Sequence, residues 1–213
     1  MEMTTKMTKK IIDLHIDIHS SETLLPGLQA LLAKGFLVQT RTGGTLSDLL
    51  CDQLGIDAGY LKNRVQTLFL NNSPVDDVET TIVADGDVVA LSAAMPGLAG
   101  ATLRKGGFYA RLRHGISHQI KDTEEIEEHT GIVTIRLFNV VAKELGPVFM
   151  EKGVMVDGRA LKSFLNIAWP ALTSPVYTLS VDGEEIAMPV LLEKDWHMRM
   201  IRLTIQTVGD NRG

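Results

Sequence analysis

The sequence predicts an α+β fold: two similar halves, each a mixed sheet with a packed helix. Three observations carry that prediction. Ile12 to His19 alternates without a break, with Ile12, Leu14, Ile16 and Ile18 on one face and Asp13, His15, Asp17 and His19 on the other. That is the period of a half-buried strand. Val65 to Gly100 runs as strand, turn, extended run, acidic turn and strand, ending in a glycine-containing tail. Finally, Val176–Val181 followed by Asp182-Gly183 echoes Val65–Leu70 followed by Asn71-Asn72, each preceded by a short helix and followed by two extended runs. A chain of 213 residues suffices for one generous core or two small ones.

The elements follow in order. Residues 1–10 are polar and read as a disordered tail. After the first strand, Ser20-Ser21-Glu22 caps an amphipathic helix over 22–34, with Leu24, Leu25, Leu28, Leu31 and Leu32 on one stripe and Gly35 as its stop. Phe36–Arg41 is a second strand, Gly43-Gly44 a turn, and Thr45 the N-cap of a short amphipathic helix to Leu54. Val65–Leu70 is β-prone. Asn71-Asn72-Ser73-Pro74 turns the chain, since Asn tolerates left-handed backbone and Pro cannot donate to a ladder. Val78–Val83 reads as extended, Asp85-Gly86-Asp87 as a turn, and Val88–Leu91 as a buried strand stopped by Met95-Pro96-Gly97. Residues 113–130, with Glu124, Glu125, Glu127 and Glu128, read as a connector between a first domain, 11–112, and a second, 131–213. In the second, Val133, Ile135 and Leu137 mark a strand, Val148–Val156 a β-prone run, and Arg159–Trp169 a helix ended by Pro170 and Pro175. Val176–Val181 is a strand, Asp182-Gly183 a hairpin turn, and Ile186–Leu192 and Met198–Thr207 are extended.

The order helix, strand ending in Asn, Asp-Gly-Asp turn, apolar strand, Pro and glycine tail resembles the β-grasp, or ubiquitin-like, sulfur carriers: the thiamine-biosynthesis carrier and the small subunit of molybdopterin synthase. The residues that carry the resemblance are Leu68-Phe69-Leu70-Asn71, Asp85-Gly86-Asp87, Val88–Leu91, and Pro96 with Gly97 and Gly100. They lie within residues 36–100, about a third of the chain. Val133-Thr134-Ile135-Arg136-Leu137-Phe138 is similar to the family's first strand, and the pattern over 131–208 is similar to a second, more divergent copy. The resemblance therefore implies tandem β-grasp folds. The helix over 22–34 departs from it, because the carriers join their first two strands by a tight hairpin.

Composition narrows the function classes. A net charge of −5 argues against a general nucleic-acid binder, which needs a concentrated basic face. The single cysteine, Cys51, excludes an internal disulfide and a multi-thiolate metal site. No apolar run approaches the roughly 20 residues that span a bilayer, and the first residues lack signal-peptide form. The expectation is a cytoplasmic protein away from the membrane. No Walker loop, Gly-x-Gly-x-x-Gly or Gly-x-Ser-x-Gly motif occurs, and no catalytic residue or cofactor is assigned.

Two candidate sites remain. The resemblance implies a glycine tail whose carboxyl is adenylated and converted to a thiocarboxylate. Here Gly97, Gly100, Gly106 and Gly107 are internal, so carriage requires processing after Gly100 or Gly107; the alternative is that they make turns. The second candidate is the strand face of His15, Asp17 and His19, whose N and O donors suit a divalent metal; the alternative is a solvated strand surface. Trp169, Trp196, Met198 and Met200 read as an apolar stripe of a second core or a subunit contact. The function expected is a non-catalytic interaction module, whose sheet face or strand edge meets a protein partner or another copy of the chain. Sulfur carriage and metal handling are the alternatives.

Overall fold

The computed structural model describes residues 11–18, 27–94, 97–105, 128–168 and 177–207. Strand β1 (Ile11–Ile18) precedes helix α1 (Leu28–Lys34) and strand β2 (Phe36–Thr42). A π-helical segment, Asp48–Gln53, and helix α2 (Ala58–Asn63) lead to strands β3 (Thr67–Leu70), β4 (Ser73–Pro74) and β5 (Val88–Ser92). Helix α3 (Gly97–Leu103), strand β6 (His129–Leu137), helix α4 (Asn139–Lys152), strand β7 (Val154–Asp157) and helix α5 (Gly158–Ala168) follow. Strands β8 (Tyr177–Val181) and β9 (Glu184–Glu185), helix α6 (Met188–Glu193) and strand β10 (Met200–Thr207) end the described chain. The fold is α+β with mixed strand pairing, as expected.

Two compact units divide these elements. One spans Leu32–Gly146; the other joins β1 to the chain from Pro147 onward. In the Leu32–Gly146 unit the strand order is β4-β3-β5-β6-β2. β4, β3 and β5 pair antiparallel, β5 and β6 parallel, and β6 and β2 antiparallel. A parallel neighbour cannot be reached through a hairpin, and β6 indeed comes from well beyond β5 in the sequence. One sheet face carries Leu68, Leu70, Val89, Leu91, Val133, Ile135 and Leu137, all within 1 % of complete burial. Leu46, Leu49 and Leu50, from the π-helical segment and the turn before it, and Leu61 of α2 are buried with them. Each such side chain contributes about 1.5–3 kcal/mol.

The Asp85-Gly86-Asp87 turn places β6. The Gly86 N–H donates to Ile132 O at 2.8 Å, the Thr134 N–H to Asp87 O at 2.8 Å, and the Ile132 N–H to Asp85 Oδ1 at 2.7 Å. Asp87 also accepts from the Asn71 side-chain amide at 2.7 Å and from the Ala84 N–H at 2.7 Å. The Asn and Asp-Gly-Asp residues that look like a family motif therefore tie the β3–β4 hairpin, β5 and β6 together. The amide of Gln53 serves β2 in a similar way, accepting from the Arg41 N–H at 2.8 Å and donating to Arg41 O at 3.1 Å.

The second unit orders its strands β7-β10-β1-β8-β9. Its pairings run antiparallel, parallel, antiparallel, antiparallel. Read from β2, the other unit runs through the same series. Both also place a two-residue hairpin turn with positive φ at both positions, Asn71-Asn72 (φ 50 and 67) and Asp182-Gly183 (φ 51 and 84). These are the primed turns that match strand twist. Leu14, Val154, Val156, Leu179, Ile201 and Leu203 form the core face, with Leu161, Phe164 and Leu165 of α5 buried as well.

Several sequence expectations shift. The helix from Thr45 to Leu54 contains a π-helical segment, closed by the Leu54 N–H donating to Leu49 O at 3.0 Å. Val78–Val83 forms no strand beyond a bridge between Thr45 and Ile82, because Asp77 turns the chain by accepting the Glu79 N–H. Val148–Lys152 is helical: Val141, Ala142, Phe149 and Met150 are buried at helical spacing, which overrides their β propensity. Ile186–Leu192 contains α6, with Met188 and Leu191 buried three residues apart. Of the helix expected over 22–34, the described part is α1. The first domain expected over 11–112 contains β1, which here pairs with β10 and β8; β6, expected in the second, pairs with β5 and β2. Of the connector expected over 113–130, residues before Glu128 lie outside the described ones.

Two glycines separate steric from conformational demand. A Cβ on Gly158 would stand 1.7 Å from the Trp196 carbonyl oxygen, whereas one on Gly183 meets nothing within 4 Å and suffers only from φ +84. Gly158→Ala is expected to cost more than about 4 kcal/mol and Gly183→Ala about 1–2 kcal/mol. Urea denaturation of both variants checks this; equal losses would show that the approach of α5 to Trp196 is looser than described.

Candidate interaction surface

The core of the Leu32–Gly146 unit lies on one side of its strands, and alternation sends the intervening residues to the other. That side carries the apolar Leu37 of β2, Phe69 of β3, Val88 and Ala90 of β5 and Ile132 of β6, together with Arg136 and the polar Gln39, Arg41 and Thr134; Ala90 is opposite both Phe69 and Arg136 in the register. Ile132 is 43 % exposed, and Leu37, Phe69, Val88, Ala90 and Arg136 are half-buried. Apolar residues on a sheet side away from the core thus keep some contact with water. Gly35 helps to shape it. Its φ of +110 and its approach to Thr134 Cγ2, 2.9 Å from where a Cβ would sit, leave no room for a side chain.

The corresponding side of the second unit is polar. Asp13 lies opposite Arg202, and His15 opposite Thr204 and Ser180. The Asp13 carboxylate is 3.8 Å from Arg202 Nε, so these charges are already partnered.

The candidates read from the sequence do not assemble into a reactive site among the described residues. Gly97 opens α3 with φ +80 and open space around it, and Gly100 is buried within that helix. Gly106 and Gly107 lie outside the described residues. His15 is half-buried in β1, Asp17 is paired through its backbone with Gln206 and Thr178, and His19 lies outside. Among the described residues no three His, Cys, Asp or Glu side chains gather as a metal site. Trp196 is buried and donates its indole N–H to Leu191 O at 3.0 Å, while Met198 is 64 % exposed in left-handed backbone. Trp169 lies outside the described residues, and Trp196 and Met198 of the expected stripe divide between core and surface. No described helix is long and apolar enough to cross a membrane.

The displaced titrating groups are structural. Burial, then Asp52, pushes the Cys51 thiol up, away from thiolate chemistry. Burial pulls Lys105 down while its ammonium donates to Leu61 O at 3.1 Å. Tyr60 of α2 donates to Glu144 of α4 at 2.7 Å, and Arg64 forms a two-pronged ion pair with the same carboxylate. Burial, then the bond to Glu144, raises the Tyr60 phenol. Arg64, then Tyr60, holds Glu144 at about 2.

No protein-family model, curated protein or solved structure matches this chain. The open face of the Leu32–Gly146 unit was not singled out residue by residue in the sequence. Its signal was there, in the alternation of Ile132, Thr134 and Arg136 with Val133, Ile135 and Leu137.

The Glu144 cluster makes a pH prediction. A carboxyl held near 2 when folded and near its ordinary value of about 4.3 when unfolded stabilises fully above the unfolded value. That stability is lost as pH falls through about 2. Glu144→Gln is therefore expected to be less stable than wild type at pH 6, with the gap closing between about pH 4 and pH 2. Denaturant midpoints measured across that range check it; a gap independent of pH would remove the ionised carboxylate from the account.

Proposed function

We propose that this protein is a non-catalytic interaction module made of two β-grasp-like folds. In this reading each fold completes its sheet with a strand from the other half of the chain: β6 serves the first and β1 the second. The Leu32–Gly146 unit engages a protein partner through its open sheet face. One observation carries the functional part: Leu37, Phe69, Val88, Ala90 and Ile132 line a side of the sheet opposite the core and retain exposure. The architectural part is supported by the shared series of strand pairings and by the matched hairpin turns. A module of this kind needs no catalytic constellation. Sulfur carriage has less support, because Gly97 and Gly100 belong to a helix rather than an extended tail.

The test is affinity capture on immobilised full chain, comparing wild type with Ile132→Lys and with Val190→Lys, an exposed position in the other unit (51 % exposed). A partner that depends on the face is retained by wild type and Val190→Lys and weakened about tenfold or more by Ile132→Lys, as expected for a central apolar contact. Capture equal on all three surfaces would refute this use of the face.

A further inference from the structure

Two arginines lie on the open side, Arg41 and Arg136; Arg41 has Asp48 beside it, whereas the surroundings of Arg136 do not account for its charge. Its neighbours in β6, Ile135 and Leu137, are fully buried on the core side, and on the other side Arg136 pairs with Ala90 in the register. Gly35 leaves space for its stem, since a Cβ there would stand 3.1 Å from Arg136 Cγ. Among the described residues its Nε is buried without a hydrogen-bond acceptor. Other arginines are provided for: Arg41 has Asp48, Arg64 has Glu144 and Arg202 has Asp13. The acids closest along β6, Asp85 and Asp87 at its turn, are occupied by Ile132, Asn71 and Ala84. Among the described residues no carboxylate meets the Arg136 guanidinium.

A guanidinium stays charged at any physiological pH, and its planar fork matches a carboxylate in two parallel hydrogen bonds. An orphaned donor beside Ala90, one strand in from Phe69, is thus satisfied best by an acid brought from outside, with apolar groups that keep water from the pair. We infer that Arg136 is the carboxylate anchor of the open face, and that the face takes a partner segment presenting one Asp or Glu flanked by apolar side chains. The inference rests on the interaction-module reading and adds the chemistry of the partner. Side-chain rotamer changes that would bring a buried Nε to a partner are common at interfaces.

The experiment is a selection of random short peptides displayed on phage against the full chain. The strongest binder, and its Glu→Gln or Asp→Asn version, is then titrated into protein labelled at arginine Nε for NMR. Wild type is compared with Arg136→Gln, Arg136→Lys and Ile132→Lys, each first confirmed folded by its thermal melt. The expected result has three parts. Selected peptides share an acid between apolar residues. The Arg136 Nε resonance shifts with the acid but not with its amide. Arg136→Gln loses about tenfold or more in affinity, with Arg136→Lys recovering part of it. Peptides without an acid, bound by Arg136→Gln as by wild type but lost in Ile132→Lys, would overturn the anchor and leave the face standing. Binders indifferent to Ile132→Lys and to Arg136→Gln alike would overturn both. Sedimentation showing a dimer that Ile132→Lys dissociates, with no peptide selected, would make a second copy the occupant and overturn the acidic-partner inference.

Discussion

The parallel pairing of β6 with β5 is the contact on which the Leu32–Gly146 unit depends. β6 lies between β5 and β2, so its absence would leave two strand edges unpaired and expose Val133, Ile135 and Leu137. Hairpin closure cannot supply a parallel neighbour. The register must be set by something other than a tight turn between the two strands, and the Asp85-Gly86-Asp87 turn does it, accepting from and donating to Ile132 and Thr134. Two carboxylates at one turn are costly unless their oxygens are used. Here Asp85 accepts from backbone, and Asp87 accepts from backbone and from Asn71. A one-residue slip would break those bonds and reverse every side chain of β6.

Much of this was legible because local chemistry and final structure agree. Asn71-Asn72 and Asp182-Gly183 announced primed hairpin turns, and both pairs take positive φ. The alternation of Ile12 to Ile18 announced β1, and the amphipathic stripe of Arg159–Trp169 announced α5. What was not legible is which strands meet. Nothing in Ile12-Asp13-Leu14-His15 says that its neighbours are Ile201–Thr204 on one side and Ser180–Val181 on the other. A strand's pattern states which face is buried, while its neighbours depend on contacts far away in sequence. The misread segments follow the same logic. Met188 and Leu191, or Phe149 and Met150, are β-compatible residues whose helical spacing decides the outcome only once there is a core to face.

The candidate site divides similarly. Glycines and histidines draw attention in a sequence because a few chemistries use them, but most make turns or sit on solvated strands. The half-exposed apolar face has no such marker. Leu37, Phe69, Val88 and Ile132 look like core residues until the register shows that Leu68, Val89 and Val133 already fill the core from the same strands.

The two units settle the side of the sheet away from the core by different means. On one, Asp13 and Arg202 compensate each other, and the neighbouring positions are hydroxyls and an imidazole that water solvates well. That face is complete as it stands. On the other, a guanidinium lies beside Ala90, Gly35 and Thr134 with its Nε unsatisfied among the described residues. A buried donor without an acceptor subtracts about 1–3 kcal/mol from stability, a sizeable share of the few kcal/mol that hold a domain folded. A Gln or Met at position 136 would carry no such charge. Gln66 Oε1 and Thr67 Oγ1 are also buried without a partner among the described residues, so what sets Arg136 apart is its charge. The physical demand at Arg136 is for an acceptor, and the apolar residues on its side of the sheet determine what else the acceptor must bring.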